Sequence, residues 1–336
     1  MRNKDLNSIW NEIEQRQSSQ EKIYQKIIYV DFLFRVYIGS SGIPTKRLLL
    51  LEIPKQRIKE FDAFSAPKGF TLSIGETGIK HEGYAACIIQ ATNSDWNDVF
   101  TIVAEDILDN LRKQREEETY IFSLKQRIKK WRDFFKDNRK NKLTKEMIVG
   151  LTGELFFMKE LLDKGIRQAP DLWNGPIKAA QDFQGNLVAI EVKTASANSL
   201  EYVHISSEMQ LDDEDRDVLF LVAYRLEKND SSGITLPMLI QKVSEMLTEQ
   251  QKTRFWANLI CLGYEAEDAQ LYNEGYVLKE RQVFKIKNGF PRILRSDLPV
   301  GVMDINYRLA LQSCKDYASE FDEIVMALTE VEDGEA

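Results

Sequence analysis

The first ninety residues change from a helical to a strand-type pattern of apolar positions. Apolar residues recur at helical spacing near the N-terminus, at Leu6, Ile9, Trp10 and Ile13, which predicts a helix over about the first 20 residues. From about residue 28 to 92, apolar runs alternate with turns rich in Gly, Ser and Pro, which predicts an antiparallel sheet. A helix is then expected from a cap at Asn93, Ser94 or Asp95 to about Arg115.

The middle of the chain mixes helical and strand-type segments. One helix is predicted from about 120 to 136, and another from Thr144 to Asp163, where Gly165 follows as a typical C-cap. Strands are predicted around Asp182, around Glu191, over 202–206 and over 218–224, with a short helix or turn through Gln210. This order predicts a mixed α/β domain.

The last hundred residues complete the predicted organisation. They contain a predicted helix near 236–259, a strand pair around 277–295 and a closing helix over about 305–328. The chain is therefore expected to be α+β overall and to have four parts. These are an N-terminal α+β domain with an antiparallel β-rich sheet (1–118), a basic helical connector (119–143), an α/β core (144–235) and a C-terminal α/β extension (236–336).

The composition narrows the class of protein. Hydrophobic residues make up 43% and charged residues 29% of the 336 positions, as in soluble globular proteins. The longest apolar runs stay below the roughly 18 residues of a membrane span, and the charged N-terminus lacks the apolar core of a signal peptide. Three widely spaced cysteines fit reduced thiols. We therefore expect a cytoplasmic protein that does not bind membranes.

The residues available for catalysis are mainly carboxylates and lysines. The chain has only two histidines, His81 and His204, which leaves little material for a His-based zinc site or a serine triad. The sequence contains no GxSxG, GxxxxGK[ST] or GxGxxG motif. Any catalysis is therefore expected to depend on Asp, Glu and Lys.

The net charge of −8 is unevenly distributed along the chain. Residues 125–145 contain ten Lys or Arg and two Asp. Some of these cations follow helical spacing on one side of the predicted basic helix and are candidates to bind a nucleic-acid backbone: Lys125, Lys129, Arg132 and Lys136. A solvated surface helix has the same pattern, so both interpretations remain open.

The segment QDFQGNLVAIEVKT (181–194) places charged residues in an apolar strand. Because side chains alternate along a strand, Glu191 and Lys193 point to one face and the intervening apolar residues to the other. A turn at 184–186 would fold the preceding strand back and bring Asp182 beside them.

Two neighbouring carboxylates repel each other unless a cation lies between them. Carboxylate oxygens suit Mg²⁺ or Mn²⁺, which also accept phosphate oxygens as ligands. A lysine beside them can orient a water molecule and stabilise developing charge. These residue types therefore indicate phosphodiester hydrolysis.

Glu154 is a fourth candidate, on the helix predicted over 144–163. It lies beside the apolar stripe of that helix, where a lone glutamate is unfavourable unless it helps to hold a metal ion. Gly150 and Gly153 would let the helix approach the sheet closely.

Each of these residues also has an ordinary interpretation. Glu191 and Lys193 could form an ion pair on a solvated sheet face, Glu154 could be a surface glutamate, and Asp182 could cap the turn at 184–186. The combination is more specific than any one residue, because a helix containing GE is followed by Asp in a hairpin and by an apolar strand bearing ExK.

This combination resembles the PD-(D/E)XK nuclease superfamily. More closely, the segments GLTGELFFMKELL, LWNGP, QDF, AIEVKT and HISSEMQL are similar to the PD-(D/E)XK motif protein family of bacterial restriction and phage-defence gene clusters. The resemblance covers about residues 144–225. It implies a restriction-endonuclease-like mixed sheet flanked by helices, a divalent metal ion and cleavage of nucleic acid.

The resemblance also implies roles for individual residues. Asp182 and Glu191 would be metal ligands, with Glu154 as an additional acidic ligand, and Lys193 would orient water or stabilise charge. Gln210 occupies the place of a supporting catalytic glutamine. Gln181 stands where the motif has proline, which affects the expected strand geometry more than the chemistry.

The expected function is therefore that of a Mg²⁺- or Mn²⁺-dependent DNA endonuclease in a bacterial restriction or anti-phage defence system. The alternative is a non-catalytic subunit of such a system that binds DNA or a protein partner. The expected partners are DNA, an ATPase, helicase or methyltransferase subunit, and a second copy of the chain.

Overall fold

The computed structural model describes the chain in segments, namely residues 6–16, 22–28, 32–61, 69–75, 81–137, 142–174, 180–185, 187–196, 199–214, 216–299, 302 and 305–333. The chain divides into two compact units, Met1–Lys142 and Leu143–Ala336. Residues 236–336, which we predict as a C-terminal extension, lie in the second unit and contribute strands to its sheet.

The first unit is built on a five-stranded antiparallel sheet in the order β1-β2-β3-β5-β4. Its strands are β1 (Ile23–Ile28), β2 (Val36–Ser41), β3 (Lys46–Pro54), β4 (Phe70–Gly75) and β5 (Tyr84–Ala91). Helix α1 (Leu6–Glu14) precedes the sheet and buries Ile9, Trp10 and Ile13. The predicted N-terminal helix and antiparallel sheet are both confirmed.

Two helices follow this sheet, α2 (Asn97–Arg112) and α3 (Glu117–Asp137). The predicted cap at Asn93, Ser94 or Asp95 is wrong, because a 3₁₀ turn occupies Ser94–Trp96 and Trp96 takes the N-cap position without a side-chain hydrogen bond.

The basic helix α3 is anchored to α2 by Asp106, a buried residue. Trp131 Nε1 donates to Asp106 Oδ2 at 2.8 Å, and Arg127 Nη1 lies 3.3 Å from Asp106 Oδ1. One buried carboxylate therefore accepts hydrogen bonds from two residues of the neighbouring helix.

The second unit is built on a mixed sheet in the order β10-β11-β9-β7-β6, with β13 paired to β11. A separate ribbon pairs β8 with β12. The strands are β6 (Phe183–Gln184), β7 (Val188–Ala195), β8 (Tyr202–Ile205), β9 (Val218–Lys228), β10 (Ile234–Thr235), β11 (Gly275–Ile286), β12 (Tyr307–Ala310) and β13 (Ala318–Ser319). Strands β7 and β9 are parallel, and the other pairs are antiparallel.

The helices of the second unit cover one face of this sheet. They are α4 (Lys145–Asp163), α5 (Ala169–Leu172), α6 (Leu236–Glu245), α7 (Glu249–Leu262) and α8 (Phe321–Asp333). Ile190 and Val192 of β7 share a core with Leu155 of α4 on this side. On the opposite face, Ala189 and the apolar side chains of β9 pack against the β8–β12 ribbon. The α+β class is confirmed, and the architecture is compatible with a restriction-endonuclease-like fold.

Helix α4 begins and ends where the sequence predicts. The Thr144 hydroxyl accepts a hydrogen bond from Met147 N at the start. Gly165 adopts φ +89° just after the end, a conformation that glycine reaches without steric cost. Among the described residues, none of the helices is both long and apolar enough to cross a membrane.

Three predictions for the last hundred residues are wrong. The helix expected over 236–259 is interrupted, because Thr248 and Gln251 form a reciprocal capping box that starts α7. The strand pair expected around 277–295 is the single strand β11, followed by a turn in which Gly289 has φ +85°. The closing helix expected over 305–328 begins only at Phe321, because residues 307–310 pair instead with β8.

Candidate active site

A hairpin brings Asp182 to the charged strand. Phe183 of β6 pairs with Ile190 of β7, so Asp182, one residue earlier, stands across from Glu191. Asp182 Oδ2 accepts a hydrogen bond from Val192 N at 2.8 Å. Because Val192 lies between Glu191 and Lys193, this bond holds the aspartate against the ExK segment.

Glu191 and Lys193 form a buried ion pair. Lys193 Nζ lies 2.8 Å from Glu191 Oε1, and the two side chains are 16% and 1% exposed. The interpretation of this pair as a solvated surface ion pair is therefore wrong. The second oxygen of Glu191, Oε2, is buried and has no hydrogen-bond partner among the described residues.

Gln210 joins both members of this pair from the 3₁₀ turn Glu208–Leu211. Its Nε2 donates to Glu191 Oε1 at 2.6 Å, and its Oε1 accepts from Lys193 Nζ at 3.0 Å. Ser206 N also donates to Gln210 Oε1, at 2.8 Å. The Gln210 amide therefore fixes the position of the Glu191 carboxylate relative to the Lys193 ammonium group.

Glu154 reaches the same region from α4. Its Oε2 accepts a hydrogen bond from Nε1 of Trp173 at 2.8 Å, and Trp173 is buried in the core. The adjacent Gly153 packs directly on β7, since a Cβ built there would lie 1.8 Å from Thr194 Oγ1. The predicted role of Gly153 is confirmed. The same prediction for Gly150 is wrong, because a Cβ there would have no neighbour within 4 Å.

The three carboxylates strongly influence one another. Burial raises the pKa of Glu154 to about 8, and the nearby Asp182 carboxylate is the next cause. Burial also raises the pKa of Asp182, whereas the Lys193 charge opposes this shift. Burial and then the Asp182 charge raise the pKa of Glu191 well above its ordinary value. The site therefore favours bound protons or a bound cation near neutral pH.

The carboxylate oxygens of the site can be matched to the needs of a divalent metal ion. In the part of the chain that the structure describes, no group of three or more His, Cys, Asp or Glu is arranged to hold a metal ion. Asp182 and Glu191 nevertheless offer two facing carboxylates, and Glu191 Oε2 is a buried oxygen without a hydrogen-bond donor. Such oxygens fit Mg²⁺ or Mn²⁺, which complete their coordination with water and phosphate.

The candidate nucleic-acid residues lie in the first unit, on α3. Lys125 Nζ lies 2.9 Å from Glu60 Oε2, so its charge is already partly balanced. Lys129 is exposed, Arg132 is partly buried, and the side chain of Lys136 lies outside the described residues. A role of these residues in nucleic-acid binding stays a prediction.

Gln181 is a residue of the site that sequence reasoning treated only as a departure from the motif. It is buried, and its amide donates to the backbone of the turn that carries Gln210. In the sequence, its position next to Asp182 is the one indication that Gln181 belongs to the site. A buried amide that binds a distant turn leaves no periodic pattern in the sequence.

Comparison with family models decides the family. A model described as "Putative PD-(D/E)XK family member, (DUF4420)" matches residues 6–312. The chain belongs to this PD-(D/E)XK family. The match confirms the resemblance inferred from the motifs and extends it over most of both units. No curated protein and no solved structure matches the chain.

Proposed function

We propose that the chain is a metal-dependent nuclease that hydrolyses DNA phosphodiester bonds, acting as an endonuclease in a bacterial restriction or anti-phage defence system. The observation that supports this most directly is the convergence of Asp182, Glu191 and Lys193, bridged by the Gln210 amide. Membership of the PD-(D/E)XK family supports the same class of reaction.

The metal ligands in this proposal are Asp182 and Glu191, with Glu154 beside them. A Mg²⁺ or Mn²⁺ ion bound there would lower the pKa of water and offset the negative charge of a phosphate. The buried oxygen of Glu191 that lacks a hydrogen-bond donor is the strongest support for this assignment.

Lys193 and Glu154 have distinct roles in this mechanism. The Lys193 ammonium can donate hydrogen bonds to an attacking water or to a phosphate oxygen, and its contact with Gln210 Oε1 fixes its direction. Without a bound metal ion, Glu154 holds a proton near neutral pH, because burial and the nearby Asp182 charge raise its pKa to about 8. It can therefore donate or accept a proton within the site while bonded to Trp173.

A second candidate function is a non-catalytic subunit that binds DNA or a protein partner. The net charge of −8 favours this candidate, because an acidic chain gains little long-range attraction for DNA. The expected partner is an ATPase, helicase or methyltransferase subunit from the same defence system. If the chain is instead the nuclease, the same partner could supply the DNA affinity that its net charge does not provide.

The deciding experiment is cleavage of plasmid DNA with Mg²⁺ or Mn²⁺ by the intact chain and by Lys193→Ala. The matched control is Lys164→Ala, which removes an exposed lysine that forms an ion pair with Asp322 at 2.7 Å. We expect metal-dependent nicking or linearisation by the intact chain and by the control, and its loss in Lys193→Ala. Cleavage that persists in Lys193→Ala would refute the assigned site. DNA binding without cleavage by the intact chain, alone and with candidate partner subunits, would favour the second function.

A further inference from the structure

The 3₁₀ turn Glu208–Leu211 is held in place by buried polar side chains on several sides. This turn carries Gln210, which contacts both Glu191 and Lys193. Short turns are usually solvated and variable in position. The contacts around this one therefore indicate that its exact placement matters to the side chain it carries.

Gln181 holds the turn from the side of the β6–β7 hairpin. Its Nε2 donates to Met209 O at 2.9 Å and to Asp212 O at 3.2 Å, one residue before and two residues after Gln210. Its Oε1 accepts from Gln184 Nε2 at 2.8 Å. Gln181 is only 4% exposed, so water contributes little to these interactions.

Arg292 holds the same turn from the C-terminal part of the second unit. One guanidinium nitrogen donates to Leu211 O at 2.5 Å, and another lies 2.9 Å from Asp213 Oδ1. Ile305 N donates to Glu208 Oε2 at 2.9 Å, and Glu208 is buried. Segments far apart in the sequence therefore converge on the turn.

These interactions have a common physical consequence. A buried amide or guanidinium is unfavourable unless its donors are satisfied, and here the donors are satisfied by carbonyls of one short segment. Without the Gln181 donors, Met209 O and Asp212 O would lose their link to the β6–β7 hairpin, and the turn would be free to shift. Gln210 would then lose the geometry that joins Glu191 and Lys193.

We propose that Gln181 is a positioning residue of the active site, which fixes the turn so that Gln210 bridges Glu191 and Lys193, and that Arg292 supports the same turn from the opposite side. As far as catalysis is concerned, this inference rests on the proposed nuclease function. It adds to the site a residue whose side chain bonds the turn and Gln184 rather than the proposed metal ligands or Lys193.

The test compares Gln181→Met with the matched control Gln282→Met in the full chain. Methionine keeps the length of glutamine but has no donor. Gln282 is a partly buried glutamine of β11 in the same unit, and its amide donates to Leu200 O and Glu280 Oε1 rather than to the turn. The first readout is hydrogen exchange of the Gln210 side-chain amide, followed by NMR and assigned by its absence in Gln210→Ala. We expect fast exchange in Gln181→Met and wild-type protection in the control.

The second readout is Mn²⁺ binding measured by calorimetry on Gln181→Met, Gln210→Ala and the double variant. Supporting residues around metal sites typically change affinity by about 10–100-fold, so we expect about a tenfold loss in each single variant. The double variant should be no weaker than Gln210→Ala alone, because both changes remove the same bridge. If the affinity losses of the two single variants multiply in the double variant, Gln181 acts independently of Gln210, and the inference is overturned.

Wild-type protection of the Gln210 side-chain amide from hydrogen exchange in Gln181→Met would also overturn the positioning role of Gln181. If the wild-type chain bound no Mn²⁺, the proposed function would fail, whereas the amide exchange would still decide whether Gln181 positions Gln210. If Gln181→Met did not fold, Arg292→Met would test the same turn from its other side, with the same two readouts.

Discussion

Replacing Gly153 with alanine should destabilise the second unit, whereas the same change at Gly150, about one turn earlier in α4, should stabilise it. A Cβ at position 153 would lie 1.8 Å from Thr194 Oγ1 and 2.9 Å from Thr194 Cβ, so helix and strand must separate. Such overpacking costs about 1–3 kcal/mol. The helix propensity of alanine returns only about 1 kcal/mol. Because a separation of 1.8 Å is far inside van der Waals contact, the cost lies toward the upper end of that range, and the net loss is about 1–2 kcal/mol. Gly150→Ala, with no neighbour within 4 Å, should gain about 0.5–1 kcal/mol.

Thermal unfolding of the two variants measures this difference. For a domain of this size, 1 kcal/mol corresponds to roughly 2–4 °C in Tm, so the variants should shift Tm in opposite directions. Thr194→Ala should partly rescue Gly153→Ala, because it removes Thr194 Oγ1 and the Cγ2 that would lie 3.0 Å from the new Cβ. A Gly153→Ala variant as stable as the wild type would refute the close helix–strand contact from which this reasoning starts.

Three further predictions follow from the charges and buried hydrogen bonds. Burial raises the pKa of Glu154 to about 8, so the unfolded chain loses this proton first as pH rises. The free energy of unfolding should therefore fall as the pH rises from about 4.5 to 8. In urea unfolding with EDTA present, Glu154→Gln should make this pH dependence weaker. An unchanged pH dependence would contradict the raised pKa of Glu154. Mn²⁺ binding at pH 7 should release protons, because burial raises the pKa of Glu154 to about 8 and that of Glu191 well above its ordinary value. Calorimetry in buffers of different ionisation enthalpy would detect this release, and an identical heat in every buffer would argue against it. Asp106→Ala should destabilise the chain by about 1–3 kcal/mol, because Trp131 Nε1 loses its buried acceptor. The exposed Asp109→Ala is the control, and equal urea midpoints for the two variants would contradict the anchoring of α3.

The parts of the fold that sequence reasoning predicted correctly depend on local signals. The Thr144 hydroxyl and Gly165 mark the ends of α4, and strand alternation together with a short turn places Asp182 across from Glu191. The capping box of Thr248 and Gln251 is a signal of the same kind that was missed, and it would have divided the long predicted helix correctly.

The errors depend instead on contacts between distant parts of the chain. Strand β12 pairs with β8, about a hundred residues earlier, and β11 is bounded by β9, β10 and β13 rather than by a hairpin partner of its own. The role of Gln181 belongs to this class, because its acceptors are about 30 residues away. The motif expects proline at this position, and proline has no donor in its side chain, so the motif alone could not have revealed these contacts.

The charges of the site also argue against a purely structural role. On the face of the sheet that carries Glu191 and Lys193, the neighbouring side chains Ala189, Leu219 and Leu221 belong to one apolar core. Replacing a buried ion pair with apolar side chains is often neutral or stabilises a protein by about 1–4 kcal/mol. Here Asp182 and Glu154 add two more carboxylates, and burial raises the pKa of both. Stability alone would favour apolar residues at these positions. A bound cation would relieve the repulsion that the three carboxylates share, and this accounts for the arrangement better than a contribution to folding.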